Sequence, residues 1–401
     1  MDAAKNPFAP GAGTQPPELT GRTVNLERAR IALERIKAGR PERSSLLIGL
    51  RGVGKTVLLN RIYEMAVRSG YHAVFIESPE DASLTELLVP PLRQILFRLD
   101  TREGVKDKLY QAMGALRSFA SVFEVKIPAI GLEVKVAPGL ADSGNLDHDV
   151  TDLLVTIGEA AKEAGVGVAL LIDELQYVTQ KELAALISGL HRVGQIGLPL
   201  IVFGAGLPQL AGLTGKAKTY AERLFEFQTI GPLNAQDAYR AIEEPITKES
   251  ASIDTDALKE LMDATEGYPY FLQEWGLHAW NRAPRSPITV EDVRSATQDA
   301  ASALDGGFFR VRFDRLTKGE KEYLRAMAEL GRGPHRSGDI AAKLRRSVET
   351  MAPVRANVIA KGMVYAPAHG DTAFTVPKFD EYMKRVMPEF SPHTPNRKSG
   401  K

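Results

Sequence analysis

The chain has no cysteine, so it can form neither a disulfide nor a thiolate metal site. Its seven histidines show no close spacing of the kind that places two ligands on one metal. Charge of one sign is missing as well. Lys plus Arg total 51 against 50 Asp plus Glu, a formal net charge of +1, so any nucleic-acid surface must be local. No apolar run reaches the ~18 residues that span a membrane, and Met1 to Thr20 lack the apolar core of a secretion signal. These absences point to a soluble, cytoplasmic protein with no membrane partner. What remains is ordinary globular material, 44% hydrophobic and 25% charged over 401 residues. That length suits roughly two to three domains.

The N-terminal segment, residues 1–20, holds Asn6-Pro-Phe-Ala-Pro-Gly-Ala-Gly-Thr-Gln-Pro-Pro17 and is too rich in Pro and Gly for a helix or strand. Residues 21–231 then alternate apolar strands with helices, which implies a doubly wound, mainly parallel α/β sheet. Strands are expected at 45–49, 73–77, 168–172 and 199–203, with a fifth beginning at Thr229-Ile230. Within this region, residues 122–137 contain Phe123-Glu-Val-Lys-Ile127 and Leu132-Glu-Val-Lys-Val136, two alternating runs that fit a β-hairpin insertion. Its charged face sums to zero, which fits a solvated face better than a binding one. Residues 232–304 read as all helical, residues 305–390 as three helices with a β-rich end, and 391–401 as a polar, basic, disordered tail.

The chemistry concentrates at Gly49-Leu-Arg-Gly-Val-Gly-Lys-Thr56, a full G-x-x-x-x-G-K-[ST] motif between a strand and a helix. Gly49, Gly52 and Gly54 let backbone N–H groups turn inward on phosphates without Cβ obstruction, and the helix that follows adds its dipole. Lys55 reaches the β and γ phosphates of ATP in such a loop, and the Thr56 hydroxyl ligates Mg²⁺. The second half of the site is expected at Val168-Ala-Leu-Leu-Ile-Asp-Glu174, an apolar strand carrying two acids at its carboxyl end. Asp173 is placed to hold the metal, and Glu174 to polarise an attacking water in hydrolysis of ATP to ADP and phosphate. A lone Asp-Glu at a strand end is more often a helix cap; the full P-loop upstream tips the reading to catalysis.

These residues resemble the Walker A and Walker B motifs of AAA+ and STAND P-loop ATPases. In layout, residues 17–390 are similar to archaeal-type origin-recognition and initiator ATPases and to related bacterial ATPases that end in a winged helix. The resemblance implies a doubly wound P-loop AAA+ domain, a helical lid over 232–304 and a winged helix-turn-helix domain over 305–390. It also implies that Arg22, in Leu19-Thr-Gly-Arg22, lines an adenine pocket, the alternative being an exposed Arg on a turn. Arg223 stands where this family carries an arginine finger, which would complete the site of a neighbouring copy in a homo-oligomer; the alternative is a surface Arg paired with Glu222 or Glu226. Gly267-Tyr-Pro269 resembles the G-x-P motif of STAND ATPases, giving Pro269 a nucleotide contact, although Pro is also sound chemistry for a first helical turn. Two departures count against a fast motor: Gly204-Ala-Gly206 offers no polar side chain at the sensor-1 position, and no sensor-2 arginine stands out in the lid. A slow nucleotide switch fits better.

Near the C-terminus, Thr317-Lys-Gly-Glu320 is a capping box, Ser337 to Lys343 a short helix, and Val348 to Lys361 a third helix with Pro353 inside it, where a kink is expected. Between Arg336 and Lys361 six bases face two acids, and Arg345, Arg346 and Arg355 lie on the turn and third helix. That local excess suits double-stranded DNA. The competing reading is a signalling or scaffold ATPase whose winged helix docks a protein.

Overall fold

The computed structural model describes residues 1–11, 13–80, 83–99, 106–125 and 138–390. The chain divides into two compact units. One holds residues 21–49 and 54–230; the other holds 1–20, 50–53 and 231–401.

In the first unit, helix α1 (Thr23–Lys37) precedes strand β1 (Ser44–Ile48), and α2 (Lys55–Arg68) leads to β2 (Tyr71–Glu77). Helices α3 (Leu84–Leu99), α4 (Lys106–Val122) and α5 (Leu146–Glu163) then lead to β3 (Gly167–Asp173). After α6 (Gln180–Gln195) come β4 (Leu200–Gly206), α7 (Gln209–Ala217), the single turn α8 (Ala221–Leu224) and β5 (Phe225–Thr229). All five strands are parallel, in the order β2-β3-β4-β1-β5. Every residue of β1, β3 and β4 is buried, as a parallel sheet covered by helices on both faces requires. The helices are set by local chemistry. Thr179 and Glu182 close a reciprocal capping box at the start of α6, and Ser83 and Glu86 make the same exchange before α3.

Two expectations change here. The fifth strand runs from Phe225 to Thr229, so it ends where it was expected to begin. It is an edge strand, and its alternating Phe-Glu-Phe-Gln-Thr lacks the continuous apolar run of the central strands. The expected hairpin lies mostly outside the described residues. Its first four residues are described and are not a strand: Val122 ends α4, and Phe123 and Val125 donate N–H groups to the Phe119 and Ala120 carbonyls.

In the second unit, the helical segment comprises α9 (Ala235–Lys248), α10 (Thr255–Thr265), α11 (Pro269–Arg282) and α12 (Val290–Leu304). Phe8, 3% exposed, joins its core, and the Trp280 indole N–H donates to the Asp2 carbonyl at 2.8 Å. The N-terminal segment is therefore packed rather than loose. Helix α12 continues through a π turn at Asp305–Phe309 into α13 (Arg310–Asp314). The expected domain boundary at 304/305 thus falls inside a continuous helical stretch. Ala300 and Leu304 before that boundary and Phe309, Phe379 and Tyr382 after it belong to one core, with the Phe309 ring centroid 5.7 and 5.2 Å from those of Phe379 and Tyr382.

The C-terminal part consists of α14 (Lys318–Glu329), β6 (His335–Arg336), α15 (Ser337–Lys343), α16 (Val348–Ala360), β7 (Val364–Tyr365), β8 (Asp371–Phe374) and α17 (Phe379–Val386). The strands form an antiparallel sheet in the order β6-β8-β7. Arg325 of α14, its side chain 3% exposed, donates to the Met387 carbonyl at 2.6 Å and so ties down the end of α17. Helix α16 runs unbroken through Pro353. The carbonyl that Pro353 leaves without a partner belongs to Glu349, and both residues are exposed, so water can satisfy it.

Candidate nucleotide site

Parallel β1 ends at Ile48, and the phosphate-loop motif follows at the carboxyl edge of the sheet, where α/β folds bind ligands. Gly52 and Gly54 take φ of +81° and +87°, a left-handed backbone that glycine adopts without strain. Gly54 is the residue before the first turn of α2, and no atom lies within 4 Å of where its Cβ would be. A β-carbon would fit that space but not that backbone. Lys55 is only 7% exposed, and its ammonium donates to the Gly49 carbonyl at 3.0 Å.

One strand over, β4 separates β1 from β3. Asp173, the last residue of β3, is 3% exposed. Its Oδ2 accepts the Thr56 hydroxyl at 2.6 Å and its Oδ1 accepts the Glu174 N–H at 2.8 Å. The two expected metal ligands are thus in direct contact although 117 positions apart in sequence. Burial pushes the Asp173 carboxyl above the usual range, with the neighbouring Glu174 adding to it, while the Thr56 hydroxyl, the Glu174 N–H and Lys55 pull it back. A buried carboxylate with one cation nearby is a place where a further positive charge is welcome.

The donor set fits a hydrated Mg²⁺ that comes in with a nucleotide. One carboxylate and one hydroxyl are hard oxygen ligands, and Mg²⁺ usually takes one or two protein oxygens and completes its shell with water and phosphate. No group of three or more His, Cys, Asp or Glu able to hold a metal ion occurs among the described residues.

Glu174 takes φ +55°, left-handed for a non-glycine residue. Its carboxylate accepts the side-chain amide of Gln176. Gln176, in the one-turn helix after β3, also accepts the Leu207 N–H at 3.0 Å. Sequence reasoning missed Gln176, because its role depends on β4 ending beside that turn. Ser78, 1% exposed and next to the end of β2, likewise gave no signal; its N–H donates to the Asp173 carbonyl at 3.1 Å and its hydroxyl has no partner among the described residues.

The other expected residues are scattered. Arg22, 8% exposed, precedes the first turn of α1 in the same unit. Pro269 is the first residue of α11, in the other unit. Arg223 lies at the opposite edge of the sheet. Ser44 pairs with Phe225, so Arg223 sits level with the chain before β1, and the whole of β1, roughly 13 Å, separates that edge from the phosphate loop. There Arg223 lines a groove of about 560 Å³ with Pro41, Glu42, Arg43, His191 and Tyr220, and it forms no ion pair among the described residues. Neither Glu222 nor Glu226 pairs with it; Glu226 takes Arg28 at 3.0 Å.

Of the three arginines expected at a DNA surface, Arg345 is exposed, Arg346 is half-buried and Arg355 is committed internally. Arg355 donates to the Thr372 hydroxyl at 2.8 Å and the Asp371 carbonyl at 2.7 Å, so it holds β8. Lys361, also counted in the basic excess, pairs with Glu320 at 2.7 Å.

Comparison with known proteins agrees with this geometry. Residues 18–203 match the AAA ATPase domain family, and residues 306–383 match a domain family of unknown function. The chain is 22% identical over 346 residues to an uncharacterized HTH-type transcriptional regulator of Methanocaldococcus jannaschii, covering 82% of this chain and 80% of that protein. Among solved structures, the Walker-type ATPase of Pyrococcus abyssi superposes with a TM-score of 0.55 at 14% identity, over 92% of this chain and 97% of that one. Cdc6p of Pyrobaculum aerophilum gives a weaker overlap, a TM-score of 0.46 at 14% identity over 97% and 98% of the two chains. No helix among the described residues is long and apolar enough to cross a membrane. The match to the AAA ATPase domain family takes in the phosphate loop, Asp173 and Glu174.

Proposed function

We propose that this protein is a slow, ATP-hydrolysing switch that engages double-stranded DNA through its C-terminal module. The observation that carries the reading is the contact between Thr56 and Asp173, which joins the phosphate loop to the acidic end of β3 in one buried site. ATP phosphates lie along the N–H groups of residues 49–56, and Lys55 exchanges the Gly49 carbonyl for β and γ oxygens. Thr56 and Asp173 hold Mg²⁺, which when bound neutralises charge developing on the phosphates. Glu174 orients a water whose oxygen bonds to the γ phosphorus as the bond to the bridging oxygen breaks. ADP departs, and the water's proton passes to Glu174 and then to solvent. Arg22 and Pro269 are proposed to contact the nucleotide. With no polar side chain on the end of β4, turnover is slow.

Arg223 cannot reach its own nucleotide from the far edge of the sheet; we assign it to the site of a neighbouring copy. Phosphate release tests both roles. Glu174→Gln should bind ATP and lose at least ~100-fold in turnover. Arg223→Ala should lose any turnover that rises with protein concentration, and mixing the two variants should restore part of it. Full turnover by Glu174→Gln removes the base; absence of rescue, with parental turnover independent of concentration, removes the finger.

For DNA, Arg336, Lys343, Arg345 and Arg346 are the bases of that stretch whose side chains make neither an ion pair nor a hydrogen bond among the described residues, whereas Arg355 and Lys361 are held internally. The HTH-type name of the Methanocaldococcus jannaschii relative supports the same reading. One feature favours the competing reading, that the module docks a protein: the exposed positions of α16 carry Val348, Ala352, Pro353, Ala356 and Ala360 beside Glu349, Thr350 and Asn357, and no free base.

A further inference from the structure

We propose that Gln176 is the positioning residue that aims Glu174, and that it supplies from the turn after β3 the polar group that the end of β4 lacks. The inference rests on the reading of Glu174 as general base.

The turn after β3 starts with Glu174 in the left-handed region, at φ +55° and ψ +34°. That bend sends the next two side chains onto β4. Leu175, 1% exposed, packs so closely on Gly204 that a β-carbon there would lie 2.3 Å from Leu175 Cδ1. Gln176 packs on Gly206 in the same way: a β-carbon at Gly206 would lie 2.7 Å from Gln176 Oε1. The two glycines that leave β4 without a polar side chain are the ones that admit this turn.

The amide of Gln176 has one orientation. Its Oε1 accepts the Leu207 N–H at 3.0 Å, which only an acceptor can do, so Nε2 is the atom that faces and donates to Glu174 Oε2. One carboxylate oxygen, Oε2, is held by an N–H donor, which fixes the plane in which the carboxylate meets a water. The rotamer freedom of Glu174 is spent before the reaction rather than during it. The same end of β4 also seats the phosphate loop, because the Gly206 carbonyl accepts the Gly49 N–H at 3.2 Å. Base and phosphate cradle therefore share one rigid support.

The test uses the full-length chain and measures ATP affinity beside steady-state and single-turnover phosphate release. Gln176→Ala should bind ATP like the parent and turn over about 10–100-fold more slowly, the usual loss when a group supporting a reacting residue is removed. Gln176→Glu keeps the acceptor for Leu207 but faces Glu174 with like charge, and should fall as far. Gly206→Ala leaves both side chains intact and should fall in the same direction, because its methyl displaces the amide. Adding Gln176→Ala to Glu174→Gln should cost nothing further, since a residue that acts only through Glu174 has nothing left to aim. Parental or faster turnover by Gln176→Ala overturns the inference. So does a loss matched by weaker ATP binding, or a double variant slower than Glu174→Gln alone. If Glu174→Gln itself turns over fully, the base assignment fails and Gln176 falls with it; if only Gln176→Ala is harmless, Glu174 stands without it.

Discussion

Asp173 carries an energetic conflict between burial and charge. It is almost fully buried, and burial is the leading reason its carboxyl sits above the ordinary range. A carboxyl raised in this way contributes most to stability when protonated. That contribution is complete below the ordinary value near pH ~4 and is lost as pH rises through the raised one. A bound cation, which favours the charged form, offsets that loss. Asp173→Asn should raise the thermal midpoint of the free protein at pH 7, by about 2–4 °C for each kcal/mol relieved. The gain should shrink toward pH ~4, and the variant should lose the extra protection that Mg²⁺ adds to ATP. Melting curves at several pH values check this; a midpoint difference independent of pH would remove the burial argument.

At the same scale, Lys55, Thr56 and Asp173 were legible because a phosphate loop and an acidic strand end each have local signatures. Gln176 was not, since it acts where two strands far apart in sequence finish side by side. Arg355 misled for the same reason in reverse. Its charge is visible in the sequence, but its partners, Thr372 and Asp371, lie across a chain reversal.

At the scale of elements, the buried strands and capped helices followed from pattern. Ser337 to Lys343 forms a helix over the expected residues, and four helices fill the segment 232–304 that read as helical. The edge strand β5 was misplaced because half its residues face solvent and its polar composition resembles the turn before it. Helices α4 and α17 were not expected at all. The strongly amphipathic α17 is only 8 residues long and is held by Arg325 from α14, a tertiary contact no local pattern reveals. The wing region gives a prediction at this scale. Arg355→Ala breaks charged hydrogen bonds to β8 and should destabilise the protein by about 1–3 kcal/mol, with DNA binding lowered only as far as folding is. Arg345→Ala and Arg346→Ala should leave stability within ~0.5 kcal/mol yet each reduce the salt dependence of duplex binding by about one. Denaturation paired with anisotropy of a labelled duplex across several salt concentrations separates the cases. Duplex binding unchanged in the Arg345→Ala, Arg346→Ala double variant would transfer the module to protein docking.

For the whole molecule, near-neutral charge means that nothing global drives nucleotide or nucleic acid toward the surface, so affinity must come from built sites. One such site holds Lys55 as the buried cation of the phosphate loop. The most direct measurement is a calorimetric titration of ATP, with and without Mg²⁺, into the full-length chain and into Lys55→Ala. The parent should bind ATP, and more tightly with Mg²⁺; Lys55→Ala should bind at least ~100-fold more weakly, the cost of ~3 kcal/mol. Parental affinity in Lys55→Ala would contradict the central claim that residues 49–56 and Asp173 form the ATP site.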